Sequence, residues 1–292
     1  MDKGDWAIIV HGGAKAISAA ETAAHRAGCA RAVEAGAEIL ARGGSAVDAA
    51  RRAVVILEDD PTFNAGQGSV TNAAGDIEMD AGIMDGATLA IGAVGAVNRI
   101  ANPIEAAAAM LETPPILLVG KGAERFAYKL GLHCTPPRPT LPKIGVSGHD
   151  TVGCVARDRA GHIAAATSTG GISGTVPGRI GDAPLPGCGF YADDAIGGVS
   201  LSGEGEAIAR TLLGARVVRA MEDKPAAEAV QDIHAPMQRL SAEAGVIAID
   251  AAGRVGAAHN SENFAFAIAS SDRADIIAAI HQDELKADIL ND

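Results

Sequence analysis

Near the start of the chain, apolar residues form one short continuous run, which is followed by two longer segments with helical periodicity. Residues 6–10 are almost entirely apolar and lead into the sequence His-Gly-Gly-Ala at 11–14, which predicts a buried strand followed by a tight turn. Apolar residues then recur at helical spacing over about residues 19–41. Ser45 is the predicted N-cap of a second helix, which extends to about residue 58.

The following part of the chain is richer in predicted strands. A Gly- and Asn-rich loop at 63–68 precedes residues 69–82, whose alternating pattern around an Ala-Gly-Asp turn predicts a hairpin. The apolar runs at 89–97 and 116–120 predict two further buried strands. Between them, Pro103 is predicted to begin a helix.

Residues 132–150 interrupt this pattern. They contain four closely spaced prolines and no apolar periodicity, so we predict an exposed linker that tolerates cutting. The linker ends at Asp150, and Thr151 opens a new apolar run. Residues 151–156 and 163–167 flank a polar, Gly-containing turn and predict an antiparallel hairpin.

The last part of the chain again mixes helices and strands. Helical patterns cover about 203–213 and 225–237, and the short runs 246–249 and 255–258 predict a hairpin. The acidic tail at 271–290 is predicted to be amphipathic and to lie on the surface. Because both halves of the chain contain sheet-forming segments, we predict a single α+β domain with sheets packed between helices.

Composition limits the classes of function. Hydrophobic residues make up 48% of the 292 residues, which is enough for a substantial core, but aromatic residues make up only 3%, so that core depends on small side chains. The formal net charge of −12 disfavours nucleic acid or an anionic membrane as a partner. Neither a signal peptide nor a membrane-spanning apolar run is visible in the sequence, so we expect a soluble, cytoplasmic protein.

Cysteine and histidine positions predict neither a disulfide framework nor a metal site. The four cysteines are scattered without metal-binding spacing and are expected to be reduced and buried. The eight histidines do not occur in a ligand pattern beside a carboxylate. We therefore expect no required cofactor and no metal ion held by side chains.

Thr151 is the candidate nucleophile. A threonine at the start of a strand is in most proteins only a β-former, but Thr151 directly follows the predicted linker. If the Asp150–Thr151 bond were cut, the new α-amine, with an ordinary pKa of about 7.7–8.0, could serve as general base for the neighbouring hydroxyl. The cut itself needs attack on the preceding carbonyl, which a strained peptide would favour and which Asp150 could assist by orienting or protonating.

Two further pairs of residues suit an amino-acid substrate. Arg179 and Asp182, in a Gly-rich loop, could hold an α-carboxylate and an α-ammonium group, although an ordinary surface ion pair explains the same spacing. Ser202 and Gly203, before a predicted helix, could offer a hydroxyl and a backbone N–H to an oxyanion. An ordinary serine N-cap is the alternative for this second pair.

Six short motifs occur in order along nearly the whole chain, from about residue 6 to about residue 266. They are HGGA at 11–14, FNAG at 63–66, MDG at 84–86, DTVG at 150–153, TSTGG at 167–171 and GRIGD at 178–182. Their order and spacing resemble the N-terminal-nucleophile asparaginase family. That family includes plant-type L-asparaginases, isoaspartyl peptidases and glycosylasparaginases.

The resemblance implies a fold and a set of residue roles. The fold would be an αββα four-layer sandwich, and the chain would cleave itself into residues 1–150 and 151–292. By matching position, Thr151 would be the nucleophile and Thr169 its supporting hydroxyl. Ser202 and Gly203 would form the oxyanion hole. Arg179 would bind the α-carboxylate of the substrate, and Asp182 would bind its α-amine. Asn64 and Gly205 would help to position the substrate.

The same resemblance implies an assembly and an ion. Mature members are usually homodimers of cleaved protomers that act on a small molecule, here a β-aspartyl peptide or asparagine. A loop that holds sodium through backbone carbonyls in bacterial and plant members matches residues 57–67. The implied carbonyls are those of Leu57, Glu58, Asp60, Phe63, Ala65 and Gln67.

Three departures from the family pattern leave alternatives open. Asp150 precedes the nucleophile as in glycosylasparaginases, whereas asparaginases usually have glycine there. Ser202 stands where threonine is usual, and Glu204 would add negative charge near the oxyanion. The sequence predicts an autoprocessing amidohydrolase that releases aspartate from β-aspartyl amides. The alternatives are a hydrolase of N-acetylglucosaminyl-asparagine and an uncleaved, weakly active or non-catalytic homologue.

Overall fold

The computed structural model describes residues 6–132 and 150–284, which form two β-sheets with helices packed against them. The strands are β1 Ala7–Lys15, β2 Met79–Asp85, β3 Ala90–Val97, β4 Leu117–Val119, β5 Thr151–Arg157, β6 Ile163–Thr169, β7 Phe190–Asp193, β8 Gly197–Gly203, β9 Ala244–Asp250, β10 Val255–His259, β11 Asn263–Ser270 and β12 Ile277–Ala279. The helices are α1 Thr22–Ala41, α2 Ala46–Asp59, α3 Pro103–Ala109, α4 Gly120–Lys129, α5 Gly205–Thr211, α6 Leu213–Ala220, α7 Ala226–Ala229 and α8 His234–Leu240.

The larger sheet combines strands from before and after the Asp150–Thr151 bond. Its strand order is β12-β11-β1-β5-β6-β2-β3-β4. Neighbouring strands are antiparallel, apart from β3 and β4, which are parallel. Strand β5, which begins at Thr151, lies near the middle of this sheet between β1 and β6. The start of β5 is therefore fixed by hydrogen-bonded neighbours on both sides.

The smaller sheet has the strand order β10-β9-β8-β7. Buried apolar side chains pack on both faces of each of the two sheets. One group joins the helices of the first half to the larger sheet, a second contains residues of both sheets, and a third joins the smaller sheet to the helices of the second half. Strand β1 illustrates this division, because Ile8 and Val10 belong to the first group and Ile9 to the second. Successive side chains of a strand point to opposite faces, so β1 is apolar on both.

The glycine pair near the start of the chain is the clearest correction to the predicted elements. The tight turn predicted at 11–14 is wrong, because β1 continues through these residues to Lys15 with a bulge between His11 and Ala14. Gly13 adopts φ +106°, which favours glycine. A Cβ atom on Gly13 would lie 1.5 Å from Oδ1 of Asp150, so the glycine is needed for a close contact within an extended strand.

Several other predicted elements are confirmed. Helices α1 and α2 and the β5–β6 hairpin lie where the pattern indicates, and the side chain of Ser45 caps α2 by accepting a hydrogen bond from the Asp48 N–H at 3.1 Å. Helix α3 begins at Pro103, and β9 and β10 form the hairpin expected from their apolar runs.

Other predicted elements differ in detail. The strand predicted at 116–120 is the edge strand β4, in which Val119 is 50% exposed rather than buried. The hairpin predicted at 69–82 is reduced to one bridge between Thr71 and Ile77, because β2 pairs with β3 and β6 instead. Part of the predicted surface tail is β12, which pairs with β11.

Two predicted features fall partly or wholly outside the described residues. The linker predicted at 132–150 lies outside them except for its two end residues, as do the last residues of the acidic tail. None of the helices formed by residues 6–132 and 150–284 combines the length and the apolar character that a membrane crossing requires.

Candidate active site

The Asp150–Thr151 peptide lies at the open end of the β5–β6 hairpin. Thr151 is the first residue of β5 and stands opposite Thr169, the last residue of β6. The Thr169 hydroxyl donates a hydrogen bond to the Asp150 carbonyl oxygen at 3.3 Å and accepts one from the Gly171 N–H at 3.3 Å. The carbonyl of this peptide is therefore already in contact with a hydroxyl donor.

A second hydroxyl contacts the nitrogen side of the same peptide. Ser202, in β8 of the smaller sheet, is fully buried, and its Oγ accepts hydrogen bonds from the N–H groups of Thr151 at 3.2 Å and Ala14 at 3.0 Å. Strands β1, β5 and β8 thus meet at one hydroxyl oxygen. Together, Thr169 and Ser202 bracket the Asp150–Thr151 bond from its carbonyl and nitrogen sides.

A narrow pocket opens on this peptide and contains most of the predicted site residues. It is lined by Asp150, Thr151, Thr169, Gly171, Ile172, Arg179, Gly181, Asp182, Gly203 and Gly205. Ser202 lies behind this surface. Residues separated by more than fifty positions in sequence therefore share one pocket.

Asn64 supports the pocket from behind. Its side-chain amide donates to the Gly171 carbonyl at 2.7 Å, and its own backbone carbonyl accepts from the Gly170 N–H at 2.7 Å. A Cβ atom on Gly170 would lie 2.6 Å from Oδ1 of Asn64, so this loop needs glycine there. Asn64 is not among the residues that line the pocket; it fixes the loop that follows Thr169.

Gly203 and Gly205 allow the backbone to approach its neighbours closely. Gly203 has φ +148°, and a Cβ atom there would lie 2.4 Å from the Glu243 carbonyl oxygen. A Cβ atom on Gly205 would lie 2.9 Å from both Nη2 of Arg179 and Oδ1 of Asp182. The predicted substrate-binding side chains therefore rest directly against a main chain that leaves no room for a methyl group.

Arg179 and Asp182 lie in the same pocket, but they do not form the ion pair that their spacing suggested as an alternative. Instead, the Arg179 guanidinium binds Glu206 bidentately, through Nε–Oε1 and Nη2–Oε2 contacts of 2.8 Å each. Glu206 is 64% exposed, whereas the Arg179 side chain is 12% exposed. The Nη1 atom is left beside Gly181, which lines the pocket.

Burial changes the acidity of Asp182. The side chain is 4% exposed, and burial raises its pKa to about 7, with a smaller contribution in the same direction from Asp80 and an opposing one from Arg179. One carboxylate oxygen, Oδ2, has no hydrogen-bond partner within the described residues.

Asp150 is paired with a lysine that the sequence did not indicate. Its carboxylate forms a hydrogen-bonded ion pair with Nζ of Lys15, and both side chains are almost completely buried at 4% and 8% exposure. Lys15 is the last residue of β1, just after the Gly13 bulge. Because these residues are 135 positions apart, no local sequence signal could have revealed the pair.

The histidine of the first motif is also inside the protein. His11 is fully buried, and burial lowers its pKa to about 3, so the ring is neutral at ordinary pH. The Ser200 hydroxyl lies 2.8 Å from Nε2 of His11 and 3.1 Å from the Ala166 carbonyl oxygen, within hydrogen-bond distance of both. His11 therefore joins β1 to β8 beneath the site.

The chain is similar in sequence to a known family and to known proteins. A family model described as asparaginase matches residues 4–146 and 138–278. The chain belongs to the asparaginase family. A zebrafish (Danio rerio) protein named isoaspartyl peptidase/L-asparaginase is 40% identical over 285 residues, covering 90% of this chain and 91% of that protein.

Other relatives give the same result. A Mus musculus protein of the same name is 47% identical over 226 residues, which cover 70% of this chain and 69% of that protein. A Salmonella typhimurium protein named isoaspartyl peptidase is 37% identical over 293 residues, covering 87% of this chain and 92% of that protein. Both animal and bacterial proteins are therefore similar in sequence to this chain.

Glu204 was expected to place negative charge near the oxyanion position of this asparaginase-family chain. Its carboxylate accepts a hydrogen bond from the Glu243 N–H at 3.0 Å, and Glu204 is not among the residues lining the pocket. The pocket carboxylates are those of Asp150 and Asp182. The neighbours of Glu204, Gly203 and Gly205, do line the pocket, and the expected effect of Glu204 on the oxyanion stays a prediction.

The loop after α2 contains backbone carbonyl oxygens, which are the kind of ligand atom that a backbone-bound cation requires. A Cβ atom on Gly66 would lie 2.3 Å from the Glu58 carbonyl oxygen, and one on Gly68 would lie 1.8 Å from the Phe63 carbonyl oxygen. Neutral carbonyl oxygens suit hard cations. Some carbonyls of this loop, including that of Ala65, already accept backbone hydrogen bonds, but each retains a second lone pair. The sodium ion that the resemblance implies at this loop stays a prediction.

Proposed function

We propose that this asparaginase-family protein is a self-processing threonine amidohydrolase that cleaves β-aspartyl amide bonds, in isoaspartyl dipeptides and L-asparagine, and releases aspartate. One observation supports this proposal most directly. The Asp150–Thr151 peptide is hydrogen-bonded by the Thr169 hydroxyl on its carbonyl side and by the Ser202 hydroxyl on its nitrogen side. The same peptide lines a pocket together with Arg179 and Asp182. The names of the animal and bacterial relatives support the same substrate class.

Self-cleavage would begin at the Thr151 hydroxyl. Its oxygen attacks the Asp150 carbonyl carbon while the Thr169 hydroxyl, already 3.3 Å from that carbonyl oxygen, stabilises the negative charge that develops there. The C–N bond then breaks, the nitrogen takes up the proton that the Thr151 hydroxyl loses and becomes an amine, and an ester links Asp150 to the Thr151 oxygen. Water hydrolyses this ester, leaving a carboxylate on Asp150 and a free α-amine on Thr151.

Turnover would use the same atoms in new roles. The Thr151 α-amine accepts the hydroxyl proton, and the oxygen attacks the side-chain carbonyl of the substrate. The leaving ammonia or amine takes the proton, and water then releases aspartate from the aspartyl ester. The oxyanion is proposed to be stabilised by Thr169, Ser202 and the backbone N–H of Gly203; in support, Thr169 and Gly203 line the pocket, and the Ser202 hydroxyl contacts the Thr151 N–H.

Substrate orientation would come from the two charged side chains of the pocket. Arg179 binds Glu206 through Nε and Nη2, so its Nη1 edge is available to the substrate α-carboxylate. Asp182, buried with one unpartnered oxygen, would bind the α-ammonium. Gly205 packs closely against both side chains, and Asn64 is hydrogen-bonded to the loop that follows Thr169. These contacts would keep the binding geometry rigid.

We also propose the features of the molecule as a whole that the resemblance implies. Three separate groups of buried side chains support four layers, αββα, within a single domain. Two cleaved protomers are proposed to pair as a homodimer, and the carbonyl loop at 57–67 to bind a structural sodium ion. A cytoplasmic location, and activity without a required cofactor, nucleic acid or membrane, remain predictions.

One observation favours a second candidate. Asp150, rather than glycine, precedes the nucleophile, as in glycosylasparaginases, so hydrolysis of N-acetylglucosaminyl-asparagine is the competing activity. The two candidates share the nucleophile and the cleavage step and differ only in the leaving group. A substrate panel containing β-aspartyl dipeptides, L-asparagine and N-acetylglucosaminyl-asparagine therefore separates them.

The deciding experiment joins intact-mass analysis in denaturant with that substrate panel. Wild-type protein is expected to give two masses, for residues 1–150 and 151–292, and to release aspartate from β-aspartyl dipeptides. Thr151→Ala should remain full length and show only background hydrolysis, because the attacking oxygen is gone. Thr88→Ala, which alters an exposed threonine in the turn between β2 and β3, is the matched control and should behave as wild type. A Thr151→Ala protein that still turns over substrate would exclude the mechanism.

A further inference from the structure

Lys15 lies beside the peptide bond that is proposed to break. Its Nζ pairs with Oδ2 of Asp150, and neither side chain is more than 8% exposed. The other carboxylate oxygen of Asp150, Oδ1, is buried without a hydrogen-bond partner within the described residues and lies against Gly13. The Asp150 side chain is thus confined between the end of β1 and its glycine bulge.

These contacts anchor the residue before the cut independently of the contacts at the bond itself. Thr169 binds the Asp150 carbonyl and Ser202 binds the Thr151 nitrogen, so both contacts hold the backbone of the peptide. Without Lys15, the Asp150 side chain would lose the ion pair that holds it. Loss of one partner of a buried ion pair leaves an uncompensated charge, which is strongly unfavourable and drives the remaining group to move or to neutralise.

The other nearby cation is already engaged. Arg179 also lines the pocket, but its guanidinium is bound bidentately to Glu206. Among residues 6–132 and 150–284, the ion pair recorded for Asp150 is the one with Lys15. The position of the Asp150 carboxylate therefore depends on Lys15.

We propose that Lys15 is a positioning residue for self-cleavage, acting through the carboxylate of Asp150. It holds the Asp150 side chain so that the carbonyl carbon stays in the path of the Thr151 oxygen, and it neither donates nor accepts a proton in the reaction. This inference rests on the proposed function, because it concerns the same Asp150–Thr151 cut. It assigns a task to a residue outside the sequence motifs.

The test follows the rate of the cut itself. Full-length chains are made by pulse-labelled cell-free synthesis, the folded fraction is isolated by gel filtration, and conversion to residues 1–150 and 151–292 is timed by intact mass. The variants are Lys15→Met, Lys15→Arg, Asp150→Asn and the double variant Lys15→Met/Asp150→Asn. Lys224→Met is the matched control, because it breaks a lysine–aspartate pair that is exposed, with Asp232 at 2.9 Å.

The expected result is a coupling between the two positions. Lys15→Met should slow cleavage by about tenfold or more, and Lys15→Arg, which keeps the charge, should recover part of that loss. In the Asp150→Asn background, Lys15→Met should change the rate by less than about twofold, because no carboxylate remains to be held. Lys224→Met should cleave at the wild-type rate. If Lys15→Met does not fold, Lys15→Gln replaces it with the same expectations.

Two results would overturn the inference while leaving the proposed function intact. One is wild-type cleavage by the folded Lys15→Met chain. The other is an equal slowing by Lys15→Met in the presence and absence of the Asp150 carboxylate, which would make Lys15 merely structural. A wild-type chain that never cuts between Asp150 and Thr151 would instead overturn the proposed self-cleavage, and this inference with it.

Discussion

The two charged side chains Arg179 and Asp182 line the same pocket but have different surroundings. The Arg179 guanidinium is paired with the exposed carboxylate of Glu206. Asp182 is buried, has one unpartnered oxygen and titrates near neutrality, with a pKa of about 7. Its charge, and with it the affinity for an ammonium group, is therefore sensitive to pH in the physiological range.

Binding of L-aspartate, the proposed product, should weaken as the pH falls below about 7. Below that value Asp182 becomes protonated and neutral, so the ion pair with the α-ammonium is lost. If the neutral form does not bind, the dissociation constant rises by nearly tenfold for each pH unit well below the pKa. Calorimetric titration of the cleaved enzyme between about pH 5.5 and 8.5 measures this change.

Succinate, which lacks the α-amine, is the matched ligand for that experiment. Its affinity should not show the same loss on acidification, because it has no ammonium group to pair with Asp182. Asp182→Asn should remove the Asp182-linked part of the pH dependence for L-aspartate. Identical pH dependences for L-aspartate and succinate would show that Asp182 does not bind the amine.

At the scale of elements, the hydrophobic pattern predicted the long helices and the hairpin that begins at Thr151, since these segments have a clear apolar pattern. It did not predict β8, whose seven residues are all buried, because its three glycines and two serines are residues typical of loops and it contains no continuous apolar run. It also placed a turn at 11–14, because paired glycines signal turns, although here they form a bulge that admits Asp150.

The site was predictable to the extent that its residues occur in recognisable motifs. Thr151, Thr169 and Asp182 belong to such motifs and lie together in the pocket. The partners of the motif residues were not predictable, since Lys15 and Glu206 contact them across long separations in sequence or from a different element. Such pairs depend on how strands are ordered in the folded protein, and a single sequence does not contain that order.

Helix α2 shows how an element places an ionisable group under the site. Its apolar face packs on the larger sheet, and Glu58 near its end is fully buried beneath β6. Oε1 of Glu58 accepts hydrogen bonds from the Ser168 hydroxyl at 2.7 Å and the Ile104 N–H at 3.1 Å. Burial raises the pKa of Glu58 to about 8, above its ordinary value of 4.5, so the carboxyl is protonated at neutral pH.

Glu58 should make the folded protein less stable at alkaline than at acidic pH. A raised pKa means that the folded state retains a proton that the unfolded state loses above about pH 4.5, so stability is full below that pH and decreases as the pH rises to about 8. Glu58→Gln lacks this titration. The free energy of unfolding of the Glu58 protein should therefore fall relative to Glu58→Gln by up to about 1.4 kcal/mol per pH unit across that window.

The stability comparison is best made in the uncut Thr151→Ala chain, where unfolding involves a single polypeptide. Urea denaturation at a series of pH values gives the free energies. Glu38→Gln is the control, because Glu38 is 59% exposed in a surface pair with Arg42 and should show no comparable pH-dependent difference. Parallel pH profiles for Glu58→Gln and its parent would mean that Glu58 is not protonated in the folded state.

At the scale of the whole molecule, the strand order would allow a chain cut at the Asp150–Thr151 bond, as proposed, to remain folded. Residues before the cut supply β1 to β4, and residues after it supply β5, β6, β11 and β12 of the same sheet. Strand β1 lies between β11 and β5, and β2 pairs with β6. The two pieces are therefore joined through three strand pairs as well as through shared cores.

The two fragments should consequently stay together after cleavage without a covalent link. Separation would break the β1–β11, β1–β5 and β2–β6 pairs and expose buried apolar surface, so residues 1–150 and 151–292 should coelute from gel filtration in native buffer and separate only in denaturant. After separation in denaturant, neither fragment alone should refold, because each lacks strands that lie between its own. Mixing them before dialysis should restore the native elution volume. Fragments that elute apart in native buffer would contradict the interleaved sheet as the basis of a stable cleaved protein.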